Sequence, residues 1–248
     1  MVKTKKVLLL VEGEKVEKEL FDHLYTLYGL KHIEIVSYKT NIYAFYNRLR
    51  KDFSDRQGNI DFDSIDLPLF LNDYLKINSD NPLSEVDFSD IILIFDFDPH
   101  DPQFHRDSLI ELLENFDNST DKGKLFLNYP MVESYKHVDN LNDDSFLKTT
   151  VTLENIKLRH GKTSAYKKMV DESSCVGEIK LLDKKTTNSL MELHRKKLNY
   201  LTQGLNFNDL NKYRLLCEKQ CSKLSSEKLI WVINTSLLHM LDEYGYIN

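Results

Sequence analysis

Two acidic clusters stand where short hydrophobic runs end. Val-Leu-Leu-Leu-Val leads into Glu12, Gly13, Glu14, Lys15, Val16 and Glu17, and Ile-Ile-Leu-Ile-Phe leads into Asp96, Phe97, Asp98, Pro99, His100 and Asp101. Crowded carboxylates repel one another unless a cation or a set of donors absorbs the charge. In open α/β sheets, ligands bind in the crevice outside the carboxyl ends of the strands. If the two runs are neighbouring strands, Glu12, Asp96 and Asp98 converge there. Their hard oxygens suit Mg²⁺ or Mn²⁺, and the chemistry expected is metal-assisted attack on a phosphate. Gly13 lets the backbone turn sharply beside a bulky anion.

Other acids stand nearby. Glu14 and Glu17 lie within a turn of Glu12, and they equally suit the positive end of a helix dipole. His100 and Asp101 are placed to touch an ion, its water or a substrate, or simply to cap a turn. Glu133 follows a further apolar run and is another acid for the same rim, or an ordinary helix-starting glutamate.

Basic residues cluster later in the chain. Lys157, Arg159, Lys162, Lys167 and Lys168 form one group, and Arg195, Lys196 and Lys197 another. Both are candidates for holding a nucleic-acid backbone, against the simpler reading of solvated helix faces. The net charge of −6 divides unevenly: acids outnumber bases up to residue 150, and bases outnumber acids after it. His160-Gly161-Lys162-Thr163 is not a P-loop, because Ile156 stands where that motif needs glycine. No zinc-type Cys/His spacing and no serine or cysteine nucleophile motif is present.

The elements that must position these groups can be read from periodicity. Residues 5–11, 32–37, 90–96 and 123–128 read as strands, and 14–28, 42–76 (with a polar break at 54–66), 104–116 and 131–138 as helices. Alternation of this kind predicts a mostly parallel four-stranded sheet flanked by helices. After a polar, acidic stretch at 139–149 the chain reads as helical, with a leucine stripe at 190, 193, 198 and 201, a second stripe at 210, 213, 217, 221 and 224, and a final apolar helix over 227–243. The expected division is a catalytic domain over 1–140 and a helical C-terminal domain over 150–248.

At 248 residues, with 41% apolar and 29% charged residues, the composition is that of a globular domain. Three cysteines without a CxxC pair suit a reducing cytoplasm. The run at 7–11 is too short for a signal-peptide core, and no stretch approaches the ~20 apolar residues of a membrane span.

The order of these motifs resembles the TOPRIM domain, the metal-binding α/β module of topoisomerases, primases and nucleases. Its pattern is a glutamate after the first strand and Asp-x-Asp after a later one, here Glu12 and Asp96-Phe97-Asp98. The opening Val11 to Glu17, the segment Asp96 to Phe104 and the block Asn128-Tyr129-Pro130-Met131-Val132-Glu133 are also similar to RloB-like abortive-infection proteins. The likeness covers roughly residues 5–138, with about 40–88 as a helical insertion against the family. Tyr129 is an addition to the family's block, whose usual Cys-Phe is missing. The chain lacks the modules of topoisomerases and primases, so the nuclease branch remains, which includes OLD-family and PARIS-type antiphage effectors. The resemblance implies a Mg²⁺-dependent endonuclease with Glu12, Asp96 and Asp98 as catalytic ligands and Glu133 as a further ligand. It acts on DNA or on RNA such as tRNA, in an antiphage role, with an ATPase partner subunit or a second copy of itself as expected partners. The competing expectation is a non-catalytic TOPRIM-like regulatory subunit.

Overall fold

The computed structural model describes residues 6–77, 80, 82–84, 87–157, 164–203 and 212–245. Its strands and helices run β1 (Lys6–Val11), α1 (Val16–Tyr28), β2 (Ile33–Ser37), α2 (Ile42–Phe53), α3 (Leu67–Leu75), β3 (Phe88–Asp96), α4 (Arg106–Asn115), β4 (Asp117–Asn118), β5 (Gly123–Asn128), β6 (Thr150–Thr152), α5 (Leu153–Ile156), α6 (Ala165–Ser173), α7 (Lys184–Thr202), α8 (Lys212–Glu227), β7 (Leu229–Trp231) and α9 (Leu238–Tyr244).

The fold is α/β. Five strands form one sheet in the order β2-β1-β3-β5-β4. The first four are the expected parallel strands. The fifth, two-residue β4, is an antiparallel edge beside β5 that periodicity was too short to reveal. β1 and β3 are buried on both faces, which explains their unbroken Val/Leu/Ile/Phe content.

Local signals fix the helices. Gly29, at φ +72°, ends α1 in the left-handed conformation. Side chains cap the starts of α2, α3 and α7: Asn41 accepts from Ala44 N, Asp66 from Leu69 N and Asp183 from Thr186 N.

Register places the chemistry. Val11 pairs with Ile94 on one side and Ser37 on the other, and Asp96 pairs with Asn128. The ends of β1, β3 and β5 therefore share one rim. The chain steps from β1 outward to β2, then back past β1 to β3, so the order reverses at β1 and β3 and opens a crevice at their carboxyl ends.

Two helical expectations are corrected. Residues 131–138 form a 3-10 turn over Val132–Lys136, following a cis Tyr129–Pro130 bond. Residues 227–243 are not one helix. The β-branched and aromatic run Ile230-Trp231-Val232-Ile233 is extended: β7 pairs with β6 and Ile233 bridges to Tyr129, and only Leu238–Tyr244 is helical. Buried apolar residues from before 140 and after 150 belong to one cluster. Phe126 of β5, for example, meets the rings of Tyr213 and His239 at 5.0 and 5.9 Å. Leu210 of the second stripe lies outside the described residues, while Tyr213, Cys217, Cys221 and Leu224 are buried along α8. Among the described residues no helix is long and apolar enough to cross a membrane.

Candidate functional site

Four carboxylates from four segments meet at the rim. Glu12 stands one residue beyond β1, and its backbone N–H continues the ladder to the Ile94 carbonyl. Its side chain turns toward β3, where Oε2 accepts from Asp96 N at 3.1 Å. Asp96 is the last residue of β3. Glu17 comes from the first turn of α1 and Glu133 from the 3-10 turn after β5, and both are buried.

Among the described residues, one cation faces them. Lys167, in the first turn of α6, sets Nζ 2.6 Å from Glu133 Oε1. Glu133 Oε2 is buried without a hydrogen-bond partner. With all four acids ionised, four negative charges would face the one positive charge of Lys167 among the described residues, and the carboxyl pKa values shift accordingly. Burial, with the charges of Glu17 and Asp98 adding to it, raises the Glu12 pKa to about 8 against the opposing Asp96 N–H bond. Burial and the charges of Glu12, Glu17 and Glu133 push Asp96 well above the usual carboxylate range. Glu17 is raised by burial and by Glu133. Burial works against the charge on Lys167, yet Glu133, Asp96 and Glu17 together raise its pKa.

Asp98 stands beside this group. Its charge reaches Glu12, its backbone is left-handed at φ +28°, and it accepts from the His100 backbone N–H, which offsets part of the rise that burial gives its pKa.

The remaining expected residues divide. Glu14 is exposed and pairs with Lys39 at 2.7 Å. His100 Nε2 lies 2.6 Å from the Leu153 carbonyl oxygen, so it carries the proton and donates. Asp101 is held by α2 and by its own loop: Oδ2 accepts from Asn41 Nδ2, the cap of α2, at 2.5 Å and Oδ1 from Gln103 N at 2.7 Å.

Among the described residues the basic positions have separate surroundings. Lys157 is exposed at the end of α5, and Arg159 and Lys162 lie outside the described residues. Lys168 is exposed and stands 3.8 Å from Glu172. Arg195 pairs with Glu192 at 2.6 Å, and Lys196 lies 3.9 Å from Asp144. Lys197 is a correction: it is fully buried, not part of a nucleic-acid face. Its Nζ donates to the carbonyls of Phe146 and Thr149 at 2.7 and 2.8 Å and sits 4.2 Å from the centre of the Phe146 ring. Position four residues before Leu201 on the inner face of α7 carried it inside.

Sequence reasoning missed Asn128. It is fully buried at the end of β5. Its Nδ2 reaches Asp96 Oδ1 at a long 3.5 Å, and its Oδ1 accepts from Ser236 N at 3.2 Å. The available signal was a polar residue closing an apolar run in register with Asp96.

The donor set suits a hard divalent cation: carboxylate oxygens in excess of positive charge, one of them buried and unpartnered. It is not pre-assembled, because among the described residues no group of three or more His, Cys, Asp or Glu side chains is arranged to hold a metal ion. Comparison of the chain with protein-family models, curated proteins and solved structures found no match.

Proposed function

We propose that the protein is a Mg²⁺- or Mn²⁺-dependent nuclease of the TOPRIM kind. One observation carries the reading: Glu12, Glu17, Asp96 and Glu133 arrive from four separate segments at the carboxyl rim of a parallel sheet with, among the described residues, a single lysine facing them. Such crowding costs stability, because burial and mutual repulsion both penalise the ionised forms. A fold that retains it places charge where a cation and a phosphate can use it.

Glu12, Asp96 and Glu133 are the residues that would hold the cation, with Asp98 reaching it from the left-handed turn beyond β3. A cation held there would supply an activated water and neutralise charge on a phosphodiester. Lys167 then has a second task. Released from Glu133, its ammonium can grip a non-bridging phosphate oxygen at the same rim. Asn128 holds Asp96 from the side, and Gly13 N–H holds Glu17. The nucleic-acid backbone is met by Lys167 with the exposed Lys168 nearby on α6.

The test is cleavage of plasmid, single strands and tRNA by purified protein, with and without Mg²⁺ or Mn²⁺. Asp96→Asn should reduce cleavage by about 10²-fold or more with unchanged circular dichroism. Undiminished cleavage by that variant would end the assignment. A second reading, a non-catalytic regulatory subunit, is favoured by the Lys167–Glu133 pair and the Glu12–Asp96 N bond, both of which are satisfied without a metal. Binding of nucleic acid without any metal-dependent turnover would select it.

A further inference from the structure

Beside the loop that carries Asp98 and Asp101 lies a polar cleft of about 350 Å³, lined in part by Tyr43, Tyr46, Asn47, Arg50, Gln103 and Glu111. Its size falls within the roughly 300–1,000 Å³ of small-molecule sites. It is tied to the aspartates. Tyr43 OH donates to the carbonyl of Phe97, the residue between Asp96 and Asp98. Gln103 donates its backbone N–H to Asp101. Tyr43 and Tyr46 belong to α2, whose capping Asn41 also holds Asp101.

We propose that this cleft receives a nucleobase bearing an exocyclic amino group, adenine, cytosine or guanine rather than uracil or thymine. The identity of the ligand as part of a nucleic acid rests on the nuclease reading; the preference for an amino-bearing ring rests on the cleft.

Three features point there. First, Asp107 and Glu111 line the cleft against the single guanidinium of Arg50, a poor seat for a phosphate and a good one for a neutral ring. Second, Glu111 gives only Oε2 to Tyr46 OH, at 2.7 Å. Its Oε1 has no hydrogen-bond partner among the described residues, and a free carboxylate oxygen accepts from an exocyclic amino group. Third, Asn47 and Gln103 both line the cleft, and Asn47 Nδ2 donates to Gln103 Oε1 at 2.9 Å, which uses neither the Asn47 side-chain oxygen nor the Gln103 amide N–H groups, the acceptor and donors that a base edge needs. Tyr46, half-buried on α2, offers its ring as a stacking wall.

The experiment is photo-crosslinking in EDTA, where no cleavage occurs, with otherwise identical single-stranded oligonucleotides carrying 8-azidoadenine or 5-azidouracil and adducts mapped by mass spectrometry. Adducts within residues 43–50 or 103–111 are expected, with the adenine probe favoured about fivefold or more. Glu111→Leu should bring the adenine yield down to that of uracil, and Tyr46→Ala should lower both. Adducts confined to other segments, no adduct at all, or equal yields for the two bases in the natural protein would overturn the proposal. Parallel cleavage assays in Mg²⁺ keep the two ideas apart. Adducts in the cleft without cleavage leave the base site standing and remove the nuclease. Cleavage with adducts only elsewhere does the reverse.

Discussion

The carboxylate of Glu17 fills the space that a side chain at position 13 would need. A Cβ on Gly13 would stand 2.4 Å from Glu17 Oε2, while the Gly13 N–H donates to Oε1 at 3.2 Å. The obstacle is the far end of a flexible side chain, so Gly13→Ala should fold, with a stability change within about 1 kcal/mol. The added methyl group drives Glu17 off its N–H and out of the acidic group. We expect cleavage to fall by about 10²-fold, the scale of a 1 Å misplacement in an active site, with weaker Mg²⁺ binding in a calorimetric titration. An alanine variant that binds Mg²⁺ as tightly as the natural protein would place Glu17 outside the metal's reach.

Lys167 is the counter-charge of the group, and its removal should separate stability from function. Lys167→Met leaves Glu133 buried with neither oxygen paired. In EDTA this should cost roughly 1–3 kcal/mol in urea unfolding. Glu133→Gln in the same chain removes the stranded charge and should recover most of the loss. Cleavage should stay low in both, because the phosphate has lost its cation. Equal stability of the single and double variants would show that Glu133 does not depend on Lys167.

Much of this arrangement is legible in the amino-acid sequence, and the rest is hidden for physical reasons. Glu12 and Asp96 could be placed because each follows a run apolar enough to be a central strand, and a strand tip fixes where its next residue lies. Glu17 and Glu133 look like helix-starting acids in sequence, since the dipole favours them whatever their partners. Their meeting depends on α1 and the turn after β5 closing over one rim, a long-range fact with no local signal. Lys167 was visible as a basic residue but not as the partner of Glu133. The extended run at 230–233 was misread because a continuous apolar stretch fits a buried helix as well as a strand, and its partners, Thr150–Thr152 and Tyr129, are about 80 to 100 residues away in sequence.

Lys197 illustrates the same point and yields a further prediction. A lysine is almost never fully buried unless paired, so its sequence reading was a surface contact; in the fold its ammonium instead ties down two carbonyls of the Ser145–Lys148 turn and its C-terminal flank. Lys197→Ala removes both bonds and opens a cavity, at a cost of roughly 2–5 kcal/mol by urea unfolding. The salt dependence of nucleic-acid binding should not change, because the slope counts phosphate contacts. Lys168→Ala on the exposed face of α6 should do the opposite, lowering the slope by about one while leaving stability within about 0.5 kcal/mol. A reduced salt slope in Lys197→Ala would return that residue to the binding surface.

The raised pKa of Glu12 sets the pH dependence of the metal-free protein. A carboxyl whose folded pKa lies above its unfolded value binds its proton more tightly when folded. Its favourable contribution is complete below pH 4.5 and is lost as pH rises toward about 8. Asp96, Glu17 and Asp98 are raised too and push the same way. The buried His194 and His239 oppose them, with pKa values lowered by burial to about 3 and about 4, so they add stability as pH rises up to 6.5. Lys197, lowered by burial, also opposes them, at pH values below 10.5. The natural protein alone therefore gives a mixed slope, and the comparison that isolates the site is with Glu12→Gln, which cannot ionise. In EDTA, thermal melts at pH 6.5 and 8 should show the natural protein losing stability relative to Glu12→Gln, by an amount on the order of 1–3 kcal/mol. Saturating Mg²⁺ should cancel the difference by binding the ionised carboxylates and so restoring the natural protein alone. Parallel melts of the two proteins across that window, with and without Mg²⁺, would mean that Glu12 is ionised in the folded chain and that the cluster carries its charge without a cation.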